Sequence, residues 1–150
     1  MGRLIIFRCW ERDPLNEEES VPALVVEDNM HLRHALVMQL HALGIKADSA
    51  ANGMEALRRV HDAEYSLILM DVQMPVMNGL EATAAIRNFE KHEGRIAVPI
   101  VAVTGGGSNR KQCLSAGMNG YFEKPLLLEG LKSIVESAAP FLLQKNSDMQ

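Results

Sequence analysis

The sequence predicts an α/β fold, a single doubly wound parallel sheet with helices on both faces. Two observations carry this prediction. Short, unbroken apolar runs recur along the chain, as expected for strands that are buried on both faces of a parallel sheet. Between these runs the apolar residues recur at helical spacing, so strands and helices alternate. Because crossovers are right-handed, successive strand–helix units place helices on both sides of the sheet.

The strands differ in the strength of their signal. The three unbroken apolar runs, each ending abruptly in polar or turn residues, are Ala23–Val26, Leu67–Met70 and Ile100–Val103. Two weaker strands are predicted at Lys46–Ala50, as an edge strand, and at Gly120–Glu123. We therefore expect five strands.

Five helices are predicted between and after the strands. The first carries an apolar stripe at Leu32, Leu36, Leu40 and Leu43, and Gly44 should end it. At the start of the second, Asn52 and Glu55 resemble a capping box, and Met54, Leu57 and His61 are expected on one face of the helix.

The remaining three helices have less uniform patterns. The third is predicted over Leu80–Asn88 and the fourth, a short one, over Asn109–Ala116, with Gly117 closing it. The last is predicted from a stripe at Leu128, Leu131, Val135, Ala138 and Leu142. Pro140 weakens its final turn, since proline lacks the amide that an interior helical position needs.

Composition and length favour one globular domain. The chain has 150 residues, of which 47% are hydrophobic and 23% charged. We expect residues 1–20 to be an extension or linker, residues 21–140 the domain, and residues 141–150 a tail. A net charge of −4 argues against nucleic acid as a partner. No apolar run is long enough to span a membrane, and two isolated cysteines, Cys9 and Cys113, favour a reducing cytoplasm.

Acidic residues directly follow two of the predicted strands. Glu27 and Asp28 come after the first strand, and Asp71 comes after the third. In doubly wound sheets, ligands bind beyond the carboxyl ends of the strands. If the first and third strands are neighbours, the three carboxylates converge and repel one another. Mg²⁺ would relieve that repulsion, since it prefers oxygen ligands.

Two further polar residues follow the remaining strands. Thr104 ends the fourth strand and offers a hydroxyl, and Lys124 follows the fifth and offers a cation. A carboxylate can attack a phosphoryl group to form an aspartyl-phosphate. A metal ion, a lysine and a hydroxyl can then hold the phosphoryl oxygens. The five residue types together predict phosphoryl transfer to an aspartate.

Four segments of the chain resemble the receiver domain of two-component response regulators. They are VVEDN at Val25–Asn29, MDVQMPVMNGLEA at Met70–Ala82, VT at Val103–Thr104 and AGMNGYFEKPL at Ala116–Leu126. They occur in order and at suitable spacing, and the resemblance covers about residues 23–139. It implies the flavodoxin-like receiver fold with strand order 2-1-3-4-5.

The resemblance also implies a role for each site residue. Asp71 is similar to the phosphoacceptor, and Thr104 and Lys124 to the residues that contact the phosphoryl oxygens. Glu27, Asp28 and Asp71 would bind Mg²⁺ together with the backbone carbonyl of Gln73. Tyr121 stands at the family's aromatic switch position, and the Lys124–Pro125 peptide bond at the position of its cis peptide.

Two positions depart from the family pattern. Asn78 stands where an acidic residue is common; we expect it to keep the turn while removing a charge. Gly105, Gly106 and Gly107 follow Thr104, where the family often has alanine and then a longer side chain. Neither change removes a residue that the chemistry requires.

Three other functions fit the sequence less well. A flavodoxin-like cofactor binder needs a Ser/Thr/Gly-rich phosphate loop where this chain has Glu27 and Asp28. A haloacid-dehalogenase-type phosphatase needs a second acid two residues after Asp71 and finds Gln73. A pseudo-receiver, which binds partners without being phosphorylated, is the strongest alternative, although it usually lacks one of the five site residues.

The resemblance implies a signalling protein rather than a metabolic enzyme. The partner would be a histidine kinase or a histidine phosphotransfer protein, and phosphorylation of Asp71 would change the surface of the fourth helix, fifth strand and fifth helix. We expect a monomer or weak dimer in the cytoplasm. The residues in these motifs favour a hybrid histidine kinase-type receiver over a stand-alone receiver. Such a receiver could belong to a membrane-bound sensor kinase.

Overall fold

The five predicted strands form one parallel sheet, and the computed structural model describes residues 21–106 and 109–138 of the chain. The strand order is β2–β1–β3–β4–β5, which confirms the predicted fold class and topology. The strands are β1 (Ala23–Val26), β2 (Ala47–Ala50), β3 (Leu67–Met70), β4 (Ile100–Thr104) and β5 (Gly120–Glu123). The predicted extension at residues 1–20 and tail at residues 141–150 lie outside the described residues.

Five helices connect and follow the strands. They are α1 (Met30–Ala42), α2 (Gly53–Asp62), α3 (Gly79–Glu93), α4 (Arg110–Ser115) and α5 (Leu128–Ala138). Among the described residues, none of these helices has the length and apolarity to cross a bilayer. Leu142, predicted as part of the last apolar stripe, lies outside the described range.

Alternating side chains of the central strands divide the core into two layers. Leu24 and Val26 point to one face, where they pack with buried residues of α2, α3 and α4. Ala23 and Val25 point to the other face, against α1 and α5. Strands buried in this way on both faces explain the unbroken apolar runs in the sequence.

The first helix agrees with its predicted stripe at three positions and differs at one. Leu36 and Leu40 are buried and Leu43 packs partly buried against the core, whereas Leu32 is 44% exposed. Leu32 lies in the first turn of α1, so the buried stripe begins one turn later than predicted. Gly44 has φ of 80° just after the helix and ends it as expected.

The predicted capping box of α2 is wrong. Asn52 does cap the helix by accepting from the Glu55 amide, but Glu55 accepts in return from the amide of Ala51 rather than of Asn52. Of the residues predicted to share one face, Leu57 packs against the core, whereas Met54 and His61 are exposed. The buried residues of the helix are Gly53, Ala56 and Val60. The reciprocal capping box instead opens α3, between Asn78 and Glu81.

The third helix extends five residues beyond its predicted end at Asn88 because of a buried polar network. Glu90 is 4% exposed, and its two carboxylate oxygens accept from Arg87 Nη1 and from the amide of Val98, each at 2.7 Å. Arg87 Nε also donates to the carbonyl of Gly117 at 3.0 Å. These bonds anchor α3 to the segments that lead into β4 and β5.

Candidate functional site

The adjacency of β1 and β3 brings the three predicted acidic residues together. Val26 pairs with Met70 at the end of both strands, and the Asp71 amide donates to the Val26 carbonyl at 2.9 Å. Glu27, Asp28 and Asp71 follow immediately, and one carboxylate oxygen of each lies within 4.8 Å of those of the other two. The structure therefore confirms that these three carboxylates converge at the carboxyl edge of the sheet.

The three carboxylates differ in their exposure. Glu27 is 1% exposed and Asp71 5% exposed, whereas Asp28 is open to solvent. Burial raises the pKa of Glu27 above its usual value of 4.5, and the neighbouring Asp71 raises it further, while Lys124 opposes both. The ionised form of Glu27 is thus disfavoured in the folded protein, and a cation in the site would stabilise it.

Lys124 provides a positive charge inside the acidic cluster. Its Nζ lies 2.5 Å from Glu27 Oε1 and 3.5 Å from Asp71 Oδ2. Burial lowers the pKa of Lys124, but the two carboxylates outweigh this effect, so the pKa is raised and the side chain is an ammonium at neutral pH. The following peptide bond, Lys124–Pro125, is cis as expected.

The other predicted site residues lie at the same edge of the sheet or on β5. Thr104 ends β4, is fully buried, and its carbonyl accepts from the Lys124 amide at 2.7 Å. The Gln73 amide lies 3.4 Å from Asp71 Oδ1, which places the loop after β3 against the carboxylate. Tyr121 pairs with Ala102 within the sheet and is partly buried against the core.

The chemistry of this donor set fits a magnesium ion. Three carboxylates share the space with one ammonium, so the cluster keeps an excess of negative charge. Glu27 Oε2 is buried and has no hydrogen-bond partner among the described residues. A buried carboxylate oxygen without a donor is costly unless a cation or water meets it. Oxygen ligands of this kind, one of them exposed, are what Mg²⁺ takes in proteins.

The loop between β3 and α3 is shaped by two unusual backbone positions. Gly79 donates to the Val72 carbonyl, and a Cβ built on it would lie 2.2 Å from the Asp71 carbonyl oxygen. Val76 has φ of 71°, and the Met77 amide donates across it to the Pro75 carbonyl at 2.8 Å. The loop therefore folds tightly against the backbone of Asp71.

One contact to the acidic turn was not predicted from the sequence. Arg33 Nη1, from α1, donates to the Glu27 carbonyl at 2.8 Å and lies 3.4 Å from the Asp28 carbonyl. An arginine one turn into a helix gives no indication of whether it points to solvent or back to the preceding turn. Only the fold shows that Arg33 reaches the backbone of two candidate metal ligands.

Comparisons with known proteins agree with this geometry. The family model of the response regulator receiver domain matches residues 23–136. Hybrid signal transduction histidine kinase G of Dictyostelium discoideum is 38% identical over 138 residues, which is 89% of this chain and 4% of that protein. The chain thus spans a small part of such kinases.

Solved structures show the same fold. The receiver domain of the Saccharomyces cerevisiae response regulator Ssk1, crystallised with the histidine phosphotransfer protein Ypd1, is 33% identical with a TM-score of 0.75, covering 82% of this chain and 91% of that one. The receiver domain of a Pseudomonas aeruginosa sensor histidine kinase, with magnesium coordinated in its active-site cleft, is 35% identical with a TM-score of 0.71, covering 79% and 96%.

Proposed function

This chain belongs to the response regulator receiver family, and we propose that it accepts a phosphoryl group on Asp71 from a histidine-phosphate, with Mg²⁺ bound beside it. The observation that carries the proposal is the convergence of Glu27, Asp28 and Asp71, with the Lys124 ammonium against two of these carboxylates. This arrangement combines a nucleophile, a metal site and a cation that can contact the transferred group.

The transfer forms one bond and breaks one. A carboxylate oxygen of Asp71 attacks the phosphorus, the bond between phosphorus and the donor imidazole nitrogen breaks, and the imidazole leaves with the bonding electron pair. Glu27, Asp28, Asp71 and the Gln73 carbonyl would hold Mg²⁺, which would supply positive charge to balance the charge on the phosphoryl oxygens. Lys124 and the Thr104 hydroxyl each contact another of these oxygens.

Release of the phosphoryl group and the output follow from the same site. Water attacks the phosphorus of the aspartyl-phosphate, the bond between phosphorus and the Asp71 oxygen breaks, and inorganic phosphate leaves. Asp71 is thereby regenerated, so the chain acts as a switch and turns over no external metabolite. We propose that Thr104 moves toward the phosphoryl group and that Tyr121 then moves inward. The surface of α4, β5 and α5 would change with them. The added charge on Asp71 would thus shift the balance between two conformations of this surface.

The proposed partner is a histidine phosphotransfer protein or a histidine kinase. Ssk1, a structural relative of this chain, was crystallised with such a protein. Exposed apolar side chains follow three of the site-bearing strands: Met30 is 63% exposed, Val76 80% and Leu127 66%. We propose that these side chains flank the approach of a donor histidine to Asp71 and contact an apolar surface on the donor protein.

Two contexts are open to such a domain. Similarity to a hybrid kinase favours a receiver within a hybrid histidine kinase, and a stand-alone receiver that relays phosphate is the second possibility. The alternative of a pseudo-receiver, which binds partners without phosphorylation, has no specific support, since all five expected site residues occur in the sequence.

Intact-mass analysis after incubation with acetyl phosphate and Mg²⁺ tests the proposal. We expect one added phosphoryl group in the wild type, none with EDTA and none in Asp71→Asn. Glu64→Gln, which changes an exposed acid away from the site, is the matched control and should be labelled normally. A folded wild-type protein that remains unlabelled, while a known receiver is labelled in parallel, would favour the pseudo-receiver.

A further inference from the structure

We propose that Arg33 is a positioning residue of the metal site, which orients Glu27 and Asp28 for Mg²⁺ by holding their backbone carbonyls. This inference rests on the proposed Mg²⁺ site. Arg33 Nη1 is 2.8 Å from the Glu27 carbonyl oxygen and 3.4 Å from that of Asp28, so one nitrogen reaches both peptide groups.

The sheet cannot hold these two carbonyls. The last paired residue of β1 is Val26, whose carbonyl accepts from the Asp71 amide. Glu27 and Asp28 lie past that point, where the β1–β3 ladder has ended. The turn still needs donors for its carbonyl groups, and a guanidinium from the following helix supplies them.

The rest of the turn is already fixed, so Arg33 completes it. The Glu27 amide donates to the Ala50 carbonyl at 3.1 Å. Asn29 caps α1 by accepting from the amides of His31 and Leu32. The amide of Arg33 itself donates to the Asn29 carbonyl at 2.9 Å. With its guanidinium, Arg33 therefore connects the first turn of α1 to the two acidic residues that precede it.

Backbone orientation matters most for Asp28. Glu27 is buried and its carboxylate is held by Lys124 at 2.5 Å. Asp28 is exposed, so packing does not restrict its side chain, and the direction of its Cα–Cβ bond depends on the turn. If Arg33 is removed, the peptide groups of the turn can rotate, and the Asp28 carboxylate no longer occupies one place beside the others.

Charge and positioning predict opposite effects of removing Arg33. A positive charge near the site repels Mg²⁺, so a purely electrostatic role means that Arg33→Met binds Mg²⁺ more tightly. A positioning role means that the same variant binds it more weakly. Partners that orient metal ligands typically contribute about 10- to 100-fold in affinity. We expect about a 10-fold weaker Mg²⁺ affinity in Arg33→Met.

Isothermal titration calorimetry with Mg²⁺ on the full chain, beside thermal unfolding without metal, tests the proposal. Arg33→Lys keeps the positive charge and one hydrogen-bond donor group, so it should recover part of the Mg²⁺ affinity that Arg33→Met loses. Arg58→Met, which removes an exposed arginine charge on α2, is the matched control and should bind Mg²⁺ like the wild type. A loss of stability alone, with wild-type Mg²⁺ affinity, would mean that Arg33 is only structural.

Each remaining outcome also decides the question. An unchanged or tighter affinity in Arg33→Met overturns the proposal. If that variant does not fold, Arg33→Lys decides instead, because unchanged affinity there would show that the guanidinium geometry is not needed. If the wild-type chain binds no Mg²⁺, the proposed metal site fails, and this inference fails with it. If the wild-type chain binds Mg²⁺ and the Arg33 variants bind it with the same affinity, the metal site stands and only this inference fails.

Discussion

Lys124 lies closer to Glu27 than to Asp71, with its Nζ 2.5 Å from Glu27 Oε1 and 3.5 Å from Asp71 Oδ2. The ammonium therefore serves first as the counter-ion of the most buried carboxylate in the site. We propose that it turns to a phosphoryl oxygen when Asp71 is modified. The same lysine would then have a structural role before phosphoryl transfer and a chemical role during it.

Removal of Lys124 should destabilise the metal-free protein. Lys124→Met leaves Glu27 buried without its ammonium, and we expect the unfolding free energy to fall by about 1–3 kcal/mol. Mg²⁺ should restore part of this loss, since it supplies the missing positive charge. Urea unfolding with and without Mg²⁺ measures both effects. Lys132→Met, an exposed lysine on α5, should leave stability nearly unchanged; an equal loss there would rule out the buried-pair explanation.

Gly79→Ala should disturb the backbone of Asp71. The added Cβ would lie 2.2 Å from the Asp71 carbonyl oxygen and 2.9 Å from Val72 Cα, and neither backbone atom can move cheaply. We expect a loss of about 2–3 kcal/mol in chemical denaturation, with weaker Mg²⁺ binding.

Gly105→Ala is the matched control for that substitution. A Cβ on Gly105 would meet nothing within 4 Å, so we expect a change within about 0.5 kcal/mol. Equal effects of the two substitutions would show that the clash with Asp71 does not occur.

Val76→Asn should stabilise the protein. Val76 has φ of 71°, which a β-branched side chain tolerates poorly and asparagine tolerates well. Because the side chain is 80% exposed, little packing is lost. We expect a gain of about 0.5–1 kcal/mol in denaturant unfolding. Val76→Thr adds polarity but keeps the branched Cβ, so a gain of the same size there would assign the effect to polarity rather than to backbone strain.

On acidification, Mg²⁺ binding should begin to weaken at a higher pH than it would if Glu27 had the pKa of an ordinary glutamate. Burial and Asp71 raise the pKa of Glu27 above 4.5 despite Lys124, so its protonated form is favoured in the folded state. Ionisation of Glu27 therefore opposes folding as pH rises from about 4.5 through the raised pKa. The proposed Mg²⁺ would bind the ionised form and reverse this effect.

The increase in Tm on adding Mg²⁺ measures this linkage. We expect the increase to shrink as pH is lowered toward 4.5, beginning at the raised pKa of Glu27. Glu27→Gln should show a smaller increase that depends less on pH, since the other carboxylates remain. An increase in the wild type that stays constant down to pH 4.5 would contradict the assignment to Glu27.

The strands and the acidic cluster were predictable because their signals are local. Each strand buried on both faces must be apolar throughout, so Ala23–Val26 and Leu67–Met70 stand out in the sequence. Parallel strands end at one edge of the sheet, so the residues that follow them, Glu27 and Asp71, meet there. The strand order itself was implied by the family resemblance rather than by these patterns.

Side-chain partners depended on the tertiary structure. Distances in the folded chain decide whether Lys124 pairs with Glu27 or with Asp71, because these residues lie on segments far apart in sequence. The fold likewise decides whether the Arg33 side chain points back to the acidic turn or out to solvent. Leu32 continues a helical stripe in the sequence, yet it is 44% exposed and does not join the buried cluster that contains Leu36 and Leu40. The sequence by itself determined which elements form and which carboxylates follow the strands, since periodicity and strand ends encode both; that these carboxylates meet depends on the adjacency of β1 and β3. The fold decided how each charge is balanced, since long polar side chains can reach several partners and burial selects among them.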